Sequence, residues 1–163
     1  MNNTKTLVLC GFGMAVIFVL TAFIAIPIGQ FGYINLGDCG VMLFASLLNP
    51  VLAFLCGGIG SALSDLYLGY SQYAIFTFII KGFEAITIAF LYQKIRGKAK
   101  PLSYLLGVFI IVIGYFLTDT ILLQNATAAF GGVPFNLLQG MISFIIAAIT
   151  SFFFIEEANK HLK

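Results

Sequence analysis

Residues 73–92 read YAIFTFIIKGFEAITIAFLY, eighteen uncharged residues around Lys81 and Glu84. The run is long enough to cross a bilayer, which takes about 20 apolar residues. Yet it carries two charges, and an ion in hydrocarbon costs at least a few kcal/mol unless it is paired or wetted. Lys81 lies about 12 Å inside the run at 1.5 Å per residue, and the i,i+3 spacing lets it meet Glu84 on one helix face. Tyr73, Thr77, Lys81, Glu84 and Thr87 fall within a sector of about 120° at 100° per residue. Two readings fit: a self-neutralising structural pair, or one wall of a wet cavity. The length of the polar stripe favours the cavity.

The rest of the chain has the same character. Of 163 residues, 61% are hydrophobic and 9% charged, with a mean hydropathy of +1.07, whereas soluble domains carry roughly 25% charge. The four prolines, Pro27, Pro50, Pro101 and Pro134, punctuate the apolar runs rather than interrupt them, as proline does near helix starts. The pattern predicts a single all-α integral membrane domain over 1–163, a bundle of six transmembrane helices at about 6–26, 36–48, 51–68, 73–92, 102–122 and 134–155. The second is short, and so tilted or re-entrant. The apolar run after Lys5 is read as an uncleaved first helix, because no signal-peptidase pattern follows it.

Seven of the eight basic residues lie at alternate ends of these spans: Lys5, then Lys94, Arg96, Lys98 and Lys100 in one loop, then Lys160 and Lys163. By the positive-inside rule both termini and the basic loop face the cytoplasm, and Asp38, Asp65 and Asp119 fall at outer helix ends. Helix capping is a sufficient account of Asp38. Asp65 and Asp119 end helices, where a negative charge opposes the dipole, so a donor, a ligand or hydration must hold them. Tyr33, Tyr67, Tyr70 and Tyr73 at the outer face, with Tyr92 and Tyr104 at the inner one, suit an aromatic belt. The sharper alternative is that some outer tyrosines stack on a flat ligand.

The last span carries Asn136, Gln139, Ser143 and Thr150 on one face. Interhelical hydrogen bonding accounts for the serine and threonine, while Asn136 and Gln139 can both donate to and accept from a heterocycle. The small residues of 56–62 let helices approach closely; they lack the lysine and serine/threonine ending of a phosphate loop. Gly11 and Ala15 form a second small face. Cys10, Cys39 and Cys56 are scattered apolar fillers, and His161 stands alone, so no metal or cofactor site is expected. No basic stripe suits nucleic acid, and no nucleophile–base pair suggests catalysis.

Gly32-Tyr33-Ile34-Asn35-Leu36-Gly37-Asp38, GGIGSALSD at 57–65, YAIFTFIIKG at 73–82 and VPFNLLQG at 133–140 together resemble the S components of energy-coupling factor (ECF) vitamin transporters. Within them, the likeness is to the branch that contains the hydroxymethylpyrimidine, pyridoxine and riboflavin binders. The resemblance implies a six-helix protein of the cell membrane that binds a vitamin near the outer surface, without an ATPase of its own. It implies docking, through small residues of the first helix, onto a transmembrane coupling subunit that carries two ATP-binding cassette ATPases. The bound subunit then topples in the membrane to release its vitamin inside. Carried onto this sequence, residues 27–37 become a lid, and Gly11 and Ala15 match the docking motif, with glycine replacing its first alanine. Riboflavin members place lysine three residues after the last-helix asparagine, where this chain has Gln139; hydroxymethylpyrimidine and then pyridoxine are the better candidates. Expected contacts are Lys81, Glu84, Asn136 and Gln139, followed by Asn35, Asp38, Tyr73 and Asp119. A self-sufficient carrier or channel is the main rival, and an intramembrane enzyme a distant third.

Overall fold

A computed structural model describes residues 3–155; Lys160, His161 and Lys163 lie outside them. Helices α1 (Asn3–Ala22), α3 (Pro50–Leu68), α4 (Ser71–Lys94), α5 (Ser103–Leu123) and α7 (Val133–Thr150) form the bundle. Five helical stretches containing them are long and apolar enough to cross a membrane. A hairpin of β1 (Ile26–Pro27) and β2 (Tyr33–Ile34) follows α1, then α2 (Gly37–Ala45); the single turn α6 (Ala126–Ala129) precedes α7.

The first span ends at Ala22 rather than 26. Ile26 pairs with Ile34 instead, which agrees with the aversion of a residue before proline to helical backbone. Gly29 and Gly32, at φ 65° and 80°, occupy the left-handed region that the tight turn requires.

The expected short second span is the nine-residue α2, about 13 Å long and too short to cross alone. It starts in the interior, beside the middle of α4, because the chain after the hairpin descends into the bundle. Seven of its nine residues are buried. Asp38 is not a cap: the residue preceding α2 is Leu36, no side-chain cap bond forms, and Asp38 turns inward.

Helix α3 has Pro50 in its first turn, and Asn49 accepts from the Leu52 amide, a capping arrangement that satisfies an orphan donor. Its glycines act as expected. A β-carbon on Gly58 would stand 2.7 Å from the Phe78 carbonyl of α4, and one on Gly60 would stand 2.9 Å from the Met14 carbonyl of α1. Only glycine lets α3 wedge this closely between both helices. Gly11 and Ala15 face outward on α1, and nothing lies within 4 Å of a β-carbon built on Gly11.

The tyrosine belt divides. Tyr67 is 65% exposed and stacks on Phe23, as a belt residue should. Tyr92 and Tyr104 at the other end are instead buried and stacked 5.9 Å apart. Their hydroxyls pair with Ser151 and Ser46, each at 2.7 Å. A phenol that finds a hydroxyl partner inside the bundle has no need of the interface.

Candidate functional site

Four residues of the α4 stripe, Tyr73, Thr77, Lys81 and Glu84, are buried and face the bundle interior. Thr87 departs from them and lines an outer apolar groove with Ile80 and Phe83. Lys81 Nζ donates to Asp38 Oδ1 and lies 3.6 Å from Glu84 Oε2. The cross-helix partner therefore dominates, and the intrahelical pairing is the looser one. Asp38 also accepts from Gln139 Nε2 at 2.7 Å, so α2, α4 and α7 meet at one ion pair. A buried pair of this kind needs such extra hydrogen bonds to offset its desolvation.

Above Lys81 is a cavity of about 30 Å³, roofed by the hairpin through Phe31, Gly32, Tyr33 and Asn35. Its walls are Lys81, Tyr73 and Thr77 of α4, Ser61 and Asp65 of α3, Asn136 and Gln139 of α7, Tyr115 of α5 and Thr21 of α1. The roof is tied to three helices. Tyr33 donates to Asp65 Oδ1 at 2.7 Å, and Gln139 Oε1 accepts from the Asn35 amide at 2.8 Å. The Tyr73 hydroxyl lies 2.9 Å from Asp119 Oδ1 and 3.2 Å from the Gln30 carbonyl, with one proton to share between them. Burial, together with the neighbouring Asp65 carboxylate, holds the Tyr33 phenol above its ordinary value, so it acts as a donor to the carboxylate.

Of the expected contacts, Lys81, Asn136, Gln139, Asn35 and Tyr73 line the cavity. Asp38, Glu84 and Asp119 stand behind it: the first two flank Lys81 and the third anchors Tyr73. Asp65, left without a role by the sequence, lines the cavity, and its donor is a tyrosine of the roof. Sequence reasoning passed over Ser61 and Tyr115. Ser61 was absorbed into the glycine-rich packing face, although it precedes Asp65 by one turn. Tyr115 precedes Asp119 by one turn on α5, and that spacing was its signal. Its ring centroid is 5.3 Å from Lys81 Nζ, within the range of a cation–π contact.

The groups that line the cavity have the chemistry to suit a small, flat, polar molecule, although the enclosed space is only about 30 Å³. Phe31, Tyr33, Tyr73 and Tyr115 contribute aromatic rings to the lining, and the Asn136 side chain makes no hydrogen bond to the described residues. Lys81 is the only buried ammonium among the described residues, against four buried carboxylates, Asp38, Asp65, Glu84 and Asp119. No group of three or more potential metal ligands occurs among these residues.

The family described as "ECF-type riboflavin transporter, S component" matches residues 1–151. The thiamine precursor transporter HmpT of Lactococcus lactis subsp. cremoris (strain MG1363) is 31% identical over 152 residues, covering 92% of this chain and 87% of that one. An uncharacterised protein of Pyrococcus woesei is 37% identical over 99 residues, 60% of this chain and 66% of its own. A solved structure described as the S component of a bacterial ECF transporter superposes with a TM-score of 0.75 at 19% identity, covering 99% of both chains; at that identity the likeness is one of fold.

Proposed function

Because this chain belongs to the family of ECF-type transporter S components, we propose that it captures hydroxymethylpyrimidine for uptake and holds it in the cavity beneath the hairpin. The observation that carries the substrate is the 31% identity with a thiamine precursor transporter over nearly the whole chain. The site is consistent with it. Carboxamide, carboxylate, hydroxyl and aromatic groups surround a small cavity, and Gln139 occupies the position where a riboflavin binder is expected to carry lysine.

The cavity holds only about two water-sized spheres, so a pyrimidine enters by displacing the hairpin. Asn35, Tyr33 and Tyr73 are the ties it loosens. In this reading Lys81 and Asn136 touch the vitamin directly, while Asp38, Glu84 and Asp119 hold the contacting side chains in place. Both termini and the loop from Lys94 to Lys100 face the cytoplasm, which puts the hairpin on the outer side of the plasma membrane. The chain supplies affinity and orientation. Work comes from two ATP-binding cassette ATPases on a coupling subunit, which docks at the outward face of Gly11 and Ala15.

Calorimetric titration of the detergent-purified protein with hydroxymethylpyrimidine, pyridoxine, riboflavin and thiamin tests the substrate. Tight binding of the first alone is expected; preference for another compound replaces it. Ala15→Leu tests docking: binding stays intact and ATP-dependent uptake by the full complex is lost. Lost binding instead places Ala15 in internal packing. Uptake into liposomes containing this chain alone would establish the self-sufficient carrier.

A further inference from the structure

Five buried side-chain atoms among the described residues lack a hydrogen-bond partner: Ser61 Oγ, Asp65 Oδ2, both Glu84 oxygens and Ser143 Oγ. Of these residues, only Ser61 and Asp65 also line the cavity. They are 1% and 3% exposed and stand one turn apart on α3, hence on one helix face. A buried oxygen without a partner is costly to a fold, and a ligand that supplies the missing partner recovers that cost on binding. Asp65 is also held in place. Its other oxygen accepts from Tyr33 at 2.7 Å, which fixes the carboxylate; the Thr77 hydroxyl lies beside it without completing a hydrogen bond to Oδ2.

We propose that Ser61 and Asp65 form the recognition edge of the cavity, and that they select a flat heterocycle bearing an exocyclic amino group beside a ring nitrogen. An ionised carboxylate only accepts, whereas a hydroxyl both donates and accepts. Asp65 Oδ2 therefore takes an N–H from the amino group, and Ser61 donates to the adjacent ring nitrogen. Hydroxymethylpyrimidine carries this donor–acceptor edge; pyridoxine has no amino group. The inference rests on the vitamin-binding reading and deepens it by naming the groups on the ligand and the residues that read them. It also adds α3, which contributes none of the contacts expected from the sequence, to the selective wall.

The test titrates the full-length protein in detergent with hydroxymethylpyrimidine and with its analogue bearing hydrogen in place of the amino group. The unmodified chain is expected to prefer the amino compound by about tenfold or more. Asp65→Asn puts a donor where the acceptor stood. It is expected to weaken the amino compound by about a hundredfold while changing the analogue by less than about threefold. Ser61→Ala, which deletes one oxygen, lowers affinity for both compounds about tenfold, because the analogue keeps the ring nitrogen, and carries the test if Asp65→Asn proves unfolded by thermal unfolding. Tyr33→Phe is expected to weaken both compounds, and the amino compound more, because it loosens the roof and releases the carboxylate that Tyr33 fixes. Unchanged affinity in both α3 variants, equal loss of both ligands in Asp65→Asn, or no preference in the unmodified chain overturns the inference and leaves the vitamin-binding reading standing. Failure of the unmodified chain to bind either compound overturns that reading itself.

Discussion

The bundle buries tyrosines at both ends, and the two clusters differ in what surrounds their hydroxyls. At the end of the basic loop, Tyr92 and Tyr104 stack with an interplanar angle of 13° and meet Ser151 and Ser46, all four of them neutral. At the hairpin end, Tyr33 and Tyr73 bond carboxylates instead, Asp65 and Asp119. They border a cavity that also contains Lys81, Asn136 and two unpaired oxygens. Hydroxyl-to-hydroxyl pairing closes a structure on itself. Carboxylates, a lone ammonium and unsatisfied acceptors keep an enclosed region chemically demanding, and a ligand can meet that demand. The residue type is the same at both ends; the state of its partners separates the closed cluster from the proposed site.

Lys81→Ala strikes that contrast hardest. It removes the cation between Asp38 and Glu84 and strands two buried carboxylates, at a cost of about 3–5 kcal/mol in stability. Calorimetry should detect no ligand binding, and thermal unfolding should fall sharply. Lys81→Ala combined with Asp38→Ala should recover part of the stability and none of the binding. If binding returned with stability, Lys81 would be a structural counter-ion, and the two ends of the bundle would differ less than proposed.

Gln139→Ala comes next. Gln139 spends Oε1 on the Asn35 amide and Nε2 on Asp38, so it links the roof to the ion pair. Its loss should weaken hydroxymethylpyrimidine about tenfold, mostly as faster release in stopped-flow exchange, because the hairpin loses one of its three ties. Unchanged release kinetics would remove the roof from the rate-limiting step.

The contrast between the ends also explains how much was legible beforehand. Membrane spans follow from long apolar runs, and the α4 stripe shows in its helical spacing, so Lys81, Tyr73, Asn136 and Gln139 could be found from the sequence. The partner of Lys81 could not be assigned, because Asp38 is 43 residues away and its approach depends on α2 starting inside the bundle. Asp38 therefore read as a cap. Tyr92 and Tyr104 read as belt residues because a sequence shows depth along a helix but not whether a serine waits across the interface. Ser61 was hidden by its glycine neighbours, whose packing role against α1 and α4 is real.

The smallest effects belong to the closed cluster, where they sharpen the comparison from its other side. Ser46 Oγ donates to the Met42 carbonyl at 2.9 Å and meets the Tyr104 hydroxyl at 2.7 Å. Tyr104→Phe leaves the serine with its carbonyl, so the loss should stay within about 1 kcal/mol. Ser46→Ala takes away the 2.7 Å partner of a phenol that is 0% exposed but still has Ser151 and Tyr92 beside it, and should likewise cost about 1 kcal/mol. Neither variant should move ligand affinity by as much as twofold in calorimetry, since the cluster lies at the opposite end of the bundle from the cavity. A binding defect in Tyr104→Phe would mean that the far end of the bundle is coupled to the cavity through α4 and α5. Partner satisfaction would then no longer separate a packing tyrosine from a recognition tyrosine in this protein.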